Sequence, residues 1–166
     1  FEKLSNHPDI LVLSIDHKDR KEPLKRKKLM KTSDLTFFCL PDEVSKESFE
    51  IAQSLGADCP IIIDASTAHR INPDWVYGLP ELNFKQKDLI ANSKQICVPG
   101  CYASGANLLI SPLIRNSIIS KNLPLVINAI SGYSGGGKKL INHFDKSQNQ
   151  ELEPFFYYGL NLDHKH

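Results

Sequence analysis

Several features that would assign a protein class directly are missing from this sequence of 166 residues. The formal net charge is only +1, so no excess of basic groups points to nucleic acid or an acidic membrane surface as a partner. No apolar run approaches the length of a transmembrane helix. The four cysteines include no CxxC pair, which argues against a disulfide scaffold or a metal site and favours a reducing, cytoplasmic setting.

Two nucleotide-binding signatures are also absent, namely the Walker A order GxxxxGK[ST] and the dinucleotide fingerprint GxGxxG. What is present fits a globular protein, with 41% hydrophobic and 23% charged residues. The chain starts with a phenylalanine in what reads as the tail of a helix, and it stops without a polar tail. We therefore expect it to be part of a longer polypeptide.

Short apolar runs alternate with segments of helical spacing along most of the chain. This alternation predicts an α/β fold built on a Rossmann-like parallel sheet. Asp42 is expected to cap one helix and Gly56 to end it. We place a domain transition near Cys101, with a first domain over 1–100 and the start of a second over 101–166. The expected strands are 10–16, 35–41, 60–66, 95–98 and 123–131, and the expected helices begin near 23, 42, 83 and 101.

Cys101 follows a Pro-Gly turn at the point where a helical pattern begins. A helix N-terminus carries partial positive charge and unpaired N–H groups, which favour a thiolate over a thiol. The same N–H groups can stabilise an oxyanion on a substrate carbonyl. The sequence therefore offers Cys101 as a nucleophile, with a buried structural cysteine as the alternative.

Three other stretches contain residues suited to ligand binding. SGYSGGGKK (131–139) either wraps a phosphate with backbone N–H groups or forms a flexible loop. DASTAHR (64–70) ends a strand, where Ser66 and Thr67 can donate to an anion. Arg70 either binds that anion or holds the loop by pairing with an aspartate such as Asp74. Two histidines, His164 and His166, suit acid–base chemistry or lie on the surface.

The residues leave the cofactor preference open. The basic segment 18–28 suits the 2′-phosphate of NADP, whereas Asp16 at the end of a strand suits the 2′-hydroxyl of NAD. A solvated helix face also explains a run of lysines and arginines. The aromatic side chains of WVYGLPEL (75–82) are expected to pack rather than to contact a ligand.

The order of five motifs narrows these possibilities. IDASTAHR, WVYGLPEL, VPGCYASG, SGYSGGGKK and YGLNLDHKH together resemble the N-acetyl-γ-glutamyl-phosphate reductases, in their shorter-chain subtype. The resemblance implies NADPH-dependent reduction of a small acyl phosphate to a semialdehyde, with release of phosphate, in arginine biosynthesis. It also implies a Rossmann-like domain without its first strand and glycine turn, followed by the start of a catalytic and dimerisation domain. A homo-oligomer is expected.

The resemblance assigns roles to individual residues. Cys101 would form the thioester, and either His164 or His166 would assist proton transfer. The chain departs from the family's usual Asn-Pro-Gly-Cys-Tyr-Pro-Thr at Val98, Ala103 and Ser104. By itself the chain is expected to bind NADPH weakly and to be inactive. Cofactor contacts are expected at Leu40, Pro41, Ser131, Gly132, Ser134, Gly135 and Gly136, and substrate contacts at Ser66, Arg70 and Ser104.

Two alternatives remain beside this assignment. One is a related acyl-phosphate reductase, such as an aspartate-semialdehyde dehydrogenase. The other is a catalytically silent α/β binding domain.

Overall fold

The computed structural model describes residues 2–146 of the chain. Their fold alternates helices with short strands, as the apolar pattern predicts. The helices are α1 Glu2–Ser5, α2 Pro23–Lys31, α3 Asp42–Gln53, α4 Gln86–Ala91, α5 Cys101–Arg115 and α6 Gly137–Lys146, and the strands are β1 Leu35–Phe38, β2 Ile61–Asp64, β3 Val76–Tyr77 and β4 Gln95–Cys97.

The four strands form one sheet in the order β1-β2-β4-β3, and all neighbouring pairs are parallel. The register aligns Phe38 with Asp64, and Asp64 with Cys97. The predicted α/β fold with a parallel sheet is confirmed. Because parallel strands end at the same edge, the segments that follow β1, β2 and β4 all leave the sheet on one side.

Helix α5 begins at Cys101, as the Pro-Gly turn before it predicts. Helix α3 differs from its prediction by one residue, since Pro41 takes the N-cap position and Asp42 is the first helical residue. The carboxylate of Asp42 accepts hydrogen bonds from Thr67. Its negative charge still lies in the first turn, where the helix dipole favours it.

Two of the predicted strands are wrong. Residues 10–16 and 123–131 have no strand conformation, and many of their apolar side chains are exposed, with Leu11 85% and Val126 88% accessible. An apolar run signals a preference for pairing, but a strand forms only where a second strand presents its N–H and C=O groups. No such neighbour lies beside either segment within residues 2–146.

The core lies where β1, β2 and β4 pack against α2 and α3. Helix α3 turns Ser45, Ser48 and Ala52 fully inward, while its larger apolar residues are only half-buried against this core. Ser48 is buried because it accepts a hydrogen bond from Arg26 of α2, at 2.8 Å from Nη1 to Oγ. The buried hydrophobic residues of the cluster are Met30, Phe38, Ala52, Ile62, Trp75 and Cys97.

The described residues form two compact units, one up to Ser111 and a second from Pro112. The domain boundary predicted between residues 100 and 101 stays a prediction. Within residues 2–146, none of the helices combines the length and the apolar character that crossing a membrane requires.

Candidate active site

Three sequence-predicted segments meet at the carboxyl edge of the sheet. Leu40 and Pro41 follow β1, and the loop 64–70 continues from the end of β2. The turn formed by residues 98–100 follows β4. Open parallel sheets bind their ligands at this edge. The sheet therefore brings the predicted cofactor, substrate and nucleophile segments of the first unit to one side.

Cys101 is the first residue of α5, and it is exposed to solvent. Within residues 2–146 this thiol is therefore not part of the buried core, and its role as nucleophile stays a prediction. The N–H groups of a first helical turn have no acceptor within their own helix, so they are available to a group at the helix start. Ser104, three residues on, donates its hydroxyl to the carbonyl of Gly100 at 2.9 Å.

A fully buried carboxylate organises the loop after β2. Asp64 accepts hydrogen bonds from the Ser66 N–H at 3.0 Å and from the Ser66 hydroxyl at 2.7 Å. Its Oδ2 also lies 2.6 Å from Nδ1 of His69, whose ring stacks on Trp75 with centroids 4.0 Å apart. A buried carboxylate needs such partners, because desolvation without hydrogen bonds is costly. The hydroxyl of Ser66 is thus used within the protein.

The same loop is tied to the start of α3 and to the turn before Cys101. Thr67 donates its N–H to Asp42 at 3.0 Å and its hydroxyl to the same carboxylate at 2.5 Å. Nε of Arg70 donates to the carbonyl of Val98 at 2.9 Å. The expected substrate contacts at Ser66 and Arg70 stay predictions, and both side chains have a described structural contact.

The segment WVYGLPEL packs as predicted. Trp75 and Leu79 are buried, and a Cβ added to Gly78 would lie 2.9 Å from the carbonyl oxygen of Cys97. Glycine at position 78 therefore allows the chain to pass close beside β4. Burial raises the pKa of the Cys97 thiol and of the Tyr77 phenol, since both groups lose solvation of their charged forms.

The glycine-rich stretch lies in the second unit. Tyr133–Gly136 form a 3-10 turn that leads into α6, and Tyr133 stacks on Phe144. Leu140 fills the space beside Gly136, where an added Cβ would lie 2.5 Å from its Cδ2. Gly137 has a φ of +71°, which favours glycine. Packing thus accounts for Gly136 and backbone conformation for Gly137. The cofactor contacts expected at Ser131, Gly132, Ser134, Gly135 and Gly136 stay predictions.

The predicted acid–base histidines, His164 and His166, lie outside the described residues. Within residues 2–146, no three His, Cys, Asp or Glu side chains are grouped so that they could hold a metal ion.

Sequence reasoning missed the roles of Asp42 and His69. The only signal for His69 was its position in the segment that follows β2, a strand that ends at the buried Asp64. Nothing in the residue spacing linked Asp42 to Thr67.

Two family models match the chain. Residues 5–90 match the description "Semialdehyde dehydrogenase, NAD binding domain", and residues 101–166 match "Semialdehyde dehydrogenase, dimerisation domain". The chain therefore belongs to the semialdehyde dehydrogenase family. The first match covers β1, β2 and β3 of the sheet, and β4 follows it directly.

Curated relatives narrow the similarity further and confirm the resemblance seen in the motifs. The chain is 39% identical over 166 residues to N-acetyl-gamma-glutamyl-phosphate reductase of Rhizobium meliloti (strain 1021), which covers 99% of this chain and 53% of the relative. It is 40% identical over 171 residues to the protein of that name from Trichormus variabilis, covering 100% of this chain and 52% of the relative. The chain thus spans about half the length of the curated relatives it matches.

A solved structure of aspartate semialdehyde dehydrogenase II from Vibrio cholerae also resembles the chain. The TM-score is 0.44 and the identity 20%, over 52% of this chain and 27% of that one.

Proposed function

We propose that the protein carrying this chain reduces N-acetyl-γ-glutamyl phosphate to the semialdehyde with NADPH, in arginine biosynthesis, through a thioester on Cys101. The observation that carries the proposal is the exposed thiol at the start of α5, beside the carboxyl edge of a parallel sheet. Two relatives named N-acetyl-gamma-glutamyl-phosphate reductase, about 40% identical along the whole chain, support this choice of substrate.

The chemistry needs a nucleophile that holds the acyl group until it is reduced. The Cys101 thiolate attacks the acyl carbon, a C–S bond forms, and the C–O bond to phosphate breaks. The N–H groups at the start of α5 stabilise the oxyanion that develops on the carbonyl oxygen. Hydride then adds to the thioester carbon, the C–S bond breaks, and the thiolate is regenerated. One proton is taken up with the departing phosphate, and His164 or His166 would deliver it.

A bound nicotinamide dinucleotide supplies the hydride. Pro41 is exposed and Leu40 half-buried at the carboxyl edge, so this part of the chain fits a dinucleotide lying along the sheet. The resemblance adds Ser104 to the substrate contacts, and it adds to the cofactor contacts Ser131, Gly132, Ser134, Gly135 and Gly136. It favours NADPH over NADH, whereas segment 18–28 and Asp16 leave this preference open.

The test is turnover of the protein at its full encoded length. We expect oxidation of NADPH that depends on N-acetyl-γ-glutamyl phosphate and is lost in Cys101→Ser. Cys59→Ser is the matched control, because Cys59 precedes β2 at the opposite edge of the sheet, and it should retain activity. Turnover in Cys101→Ser would reject the nucleophile assignment.

The same assay separates the other candidates. Faster turnover of aspartyl phosphate would identify a related reductase, and absence of turnover with both acyl phosphates would favour a silent binding domain. Comparing NADPH with NADH decides the cofactor. Size-exclusion chromatography with light scattering tests the expected homo-oligomer, and fractionation of cells tests the cytoplasmic location.

A further inference from the structure

The main-chain N–H and carbonyl of Val98 both make hydrogen bonds at the point where the chain leaves β4 toward Cys101. Its N–H donates to the carbonyl of Asp64 at 2.8 Å, which extends the pairing of β4 with β2. Its carbonyl accepts a hydrogen bond from Nε of Arg70 at 2.9 Å. Val98 is 37% exposed, so hydrogen bonds of its main chain rather than packing of its side chain hold this residue.

The loop that carries Arg70 is itself fixed. Its first residues are bonded to the buried Asp64 carboxylate, and Thr67 makes two hydrogen bonds to Asp42. His69, the residue directly before Arg70, is buried between Asp64 and Trp75. The guanidinium therefore extends from a loop with many hydrogen bonds, and its bond to Val98 joins that loop to the turn 28 residues further along the chain.

We propose that Arg70 is a positioning residue for the nucleophile: its bond to the Val98 carbonyl sets the turn that places Cys101 at the start of α5. The inference rests on the proposed function, in which Cys101 is the nucleophile. The turn has one further anchor, since Gly100 is buried and its carbonyl accepts the first bonds of α5. Without the Arg70 bond, the Val98 carbonyl loses its side-chain donor, and the turn keeps the bond from the Ser104 hydroxyl to the Gly100 carbonyl at its far end.

The test is the rate at which neutral iodoacetamide alkylates Cys101 in the protein at its full encoded length, followed by peptide mass spectrometry. Arg70→Lys keeps the positive charge but loses the Nε donor. We expect alkylation of Cys101 to slow about two- to fivefold, the range of a helix-terminus effect. In the kinetic assay we expect kcat to fall about tenfold, as misplacement of a reacting group does, with KM within about twofold.

Two matched variants and one internal reporter make the result specific. Arg115→Lys makes the same change at an exposed arginine at the far end of α5, and Val98→Ala removes the side chain but keeps the main-chain carbonyl. Both variants should be alkylated at the unaltered rate. Cys97 is fully buried and stays unreactive while the sheet is folded.

Two results would overturn the proposal. The first is that Cys101 in Arg70→Lys is alkylated as fast as in the unaltered protein or faster; if KM alone has also risen, Arg70 belongs to substrate binding. The second is that Cys97 becomes labelled in Arg70→Lys, because Arg70 then supports the whole sheet rather than the turn. Alkylation needs no turnover, so this test decides the role of Arg70 even if the protein is inactive on acyl phosphates.

Discussion

Oδ2 of Asp64 lies 2.6 Å from Nδ1 of His69, and both side chains are buried. Asp64 ends β2, and His69 stands just before Arg70, so this contact closes the loop that reaches the turn before Cys101. The contact therefore links the stability of the sheet to the geometry of the candidate site.

Asp64→Ala is expected to lower the free energy of unfolding by about 3–5 kcal/mol, the cost of removing one partner from a buried charged network. The loss leaves the Ser66 N–H and the His69 ring without their acceptor. Urea denaturation followed by circular dichroism measures it. Asp58→Ala is the matched control, because Asp58 makes an exposed ion pair with Lys31 at 3.2 Å, worth about 0–1 kcal/mol. Equal shifts in the two variants would contradict the prediction.

Arg26→Ala is expected to destabilise the contact between α2 and α3 by about 1–3 kcal/mol. Arg26 is buried, donates to Ser48 at 2.8 Å and pairs with Glu47 at 2.5 Å, so its removal leaves a buried hydroxyl without its donor. Lys31→Ala in the same helix removes only an exposed charge and should shift the urea midpoint little. A midpoint for Arg26→Ala that matches the Lys31→Ala midpoint would argue against a stabilising role for the Arg26 contacts between α2 and α3.

Two glycine substitutions are expected to act in opposite directions. Gly78→Ala should lower the free energy of unfolding by about 1–3 kcal/mol, since its Cβ would press on the Cys97 carbonyl oxygen at 2.9 Å and on Ile96 at 3.1 Å. Gly105→Ala should raise it by about 0.5–1 kcal/mol, because position 105 is inside α5 with nothing within 4 Å of the added carbon. Thermal melting of both variants checks the pair, and stabilisation by Gly78→Ala would refute the close approach.

Stability is expected to decline at alkaline pH, in part through Cys97. Burial raises the pKa of this thiol above the ordinary value of 9.0, so the folded state keeps its proton where the unfolded state has lost it. The contribution is therefore complete below pH 9.0 and is lost as the pH rises through the folded-state value. Urea midpoints measured from neutral to alkaline pH should fall less steeply in Cys97→Ala than in Cys101→Ala, which changes an exposed cysteine. Parallel curves would show that Cys97 does not contribute.

The sequence predicts those parts of the fold that depend on local signals. The runs that became β1, β2 and β4 are bounded by turn residues, and α5 begins where a Pro-Gly turn precedes an apolar helical stripe. The failures at 10–16 and 123–131 have a common cause, because strand formation depends on a partner that the run itself does not specify.

The contacts within the candidate site depend on topology and could not be predicted. Cys101 is identifiable from its turn and motif, but the bond from Arg70 to Val98 exists only because the register places β2 beside β4. The same is true of Thr67 and Asp42, which are 25 residues apart and meet because β1 and β2 are neighbours. Sequence reasoning gave Ser66 and Thr67 the chemistry of anion donors, and the structure shows that both donate to carboxylates of the protein itself.

The common direction of the four strands has an evolutionary consequence. The loops that leave the strands all emerge at one rim of the sheet. Insertions, deletions or substitutions in these loops can change which ligand binds, while the hydrogen bonds between the strands stay as they are. Within such an architecture, selectivity for one ligand or another can diverge through a handful of positions at this rim, and the sheet itself need not change.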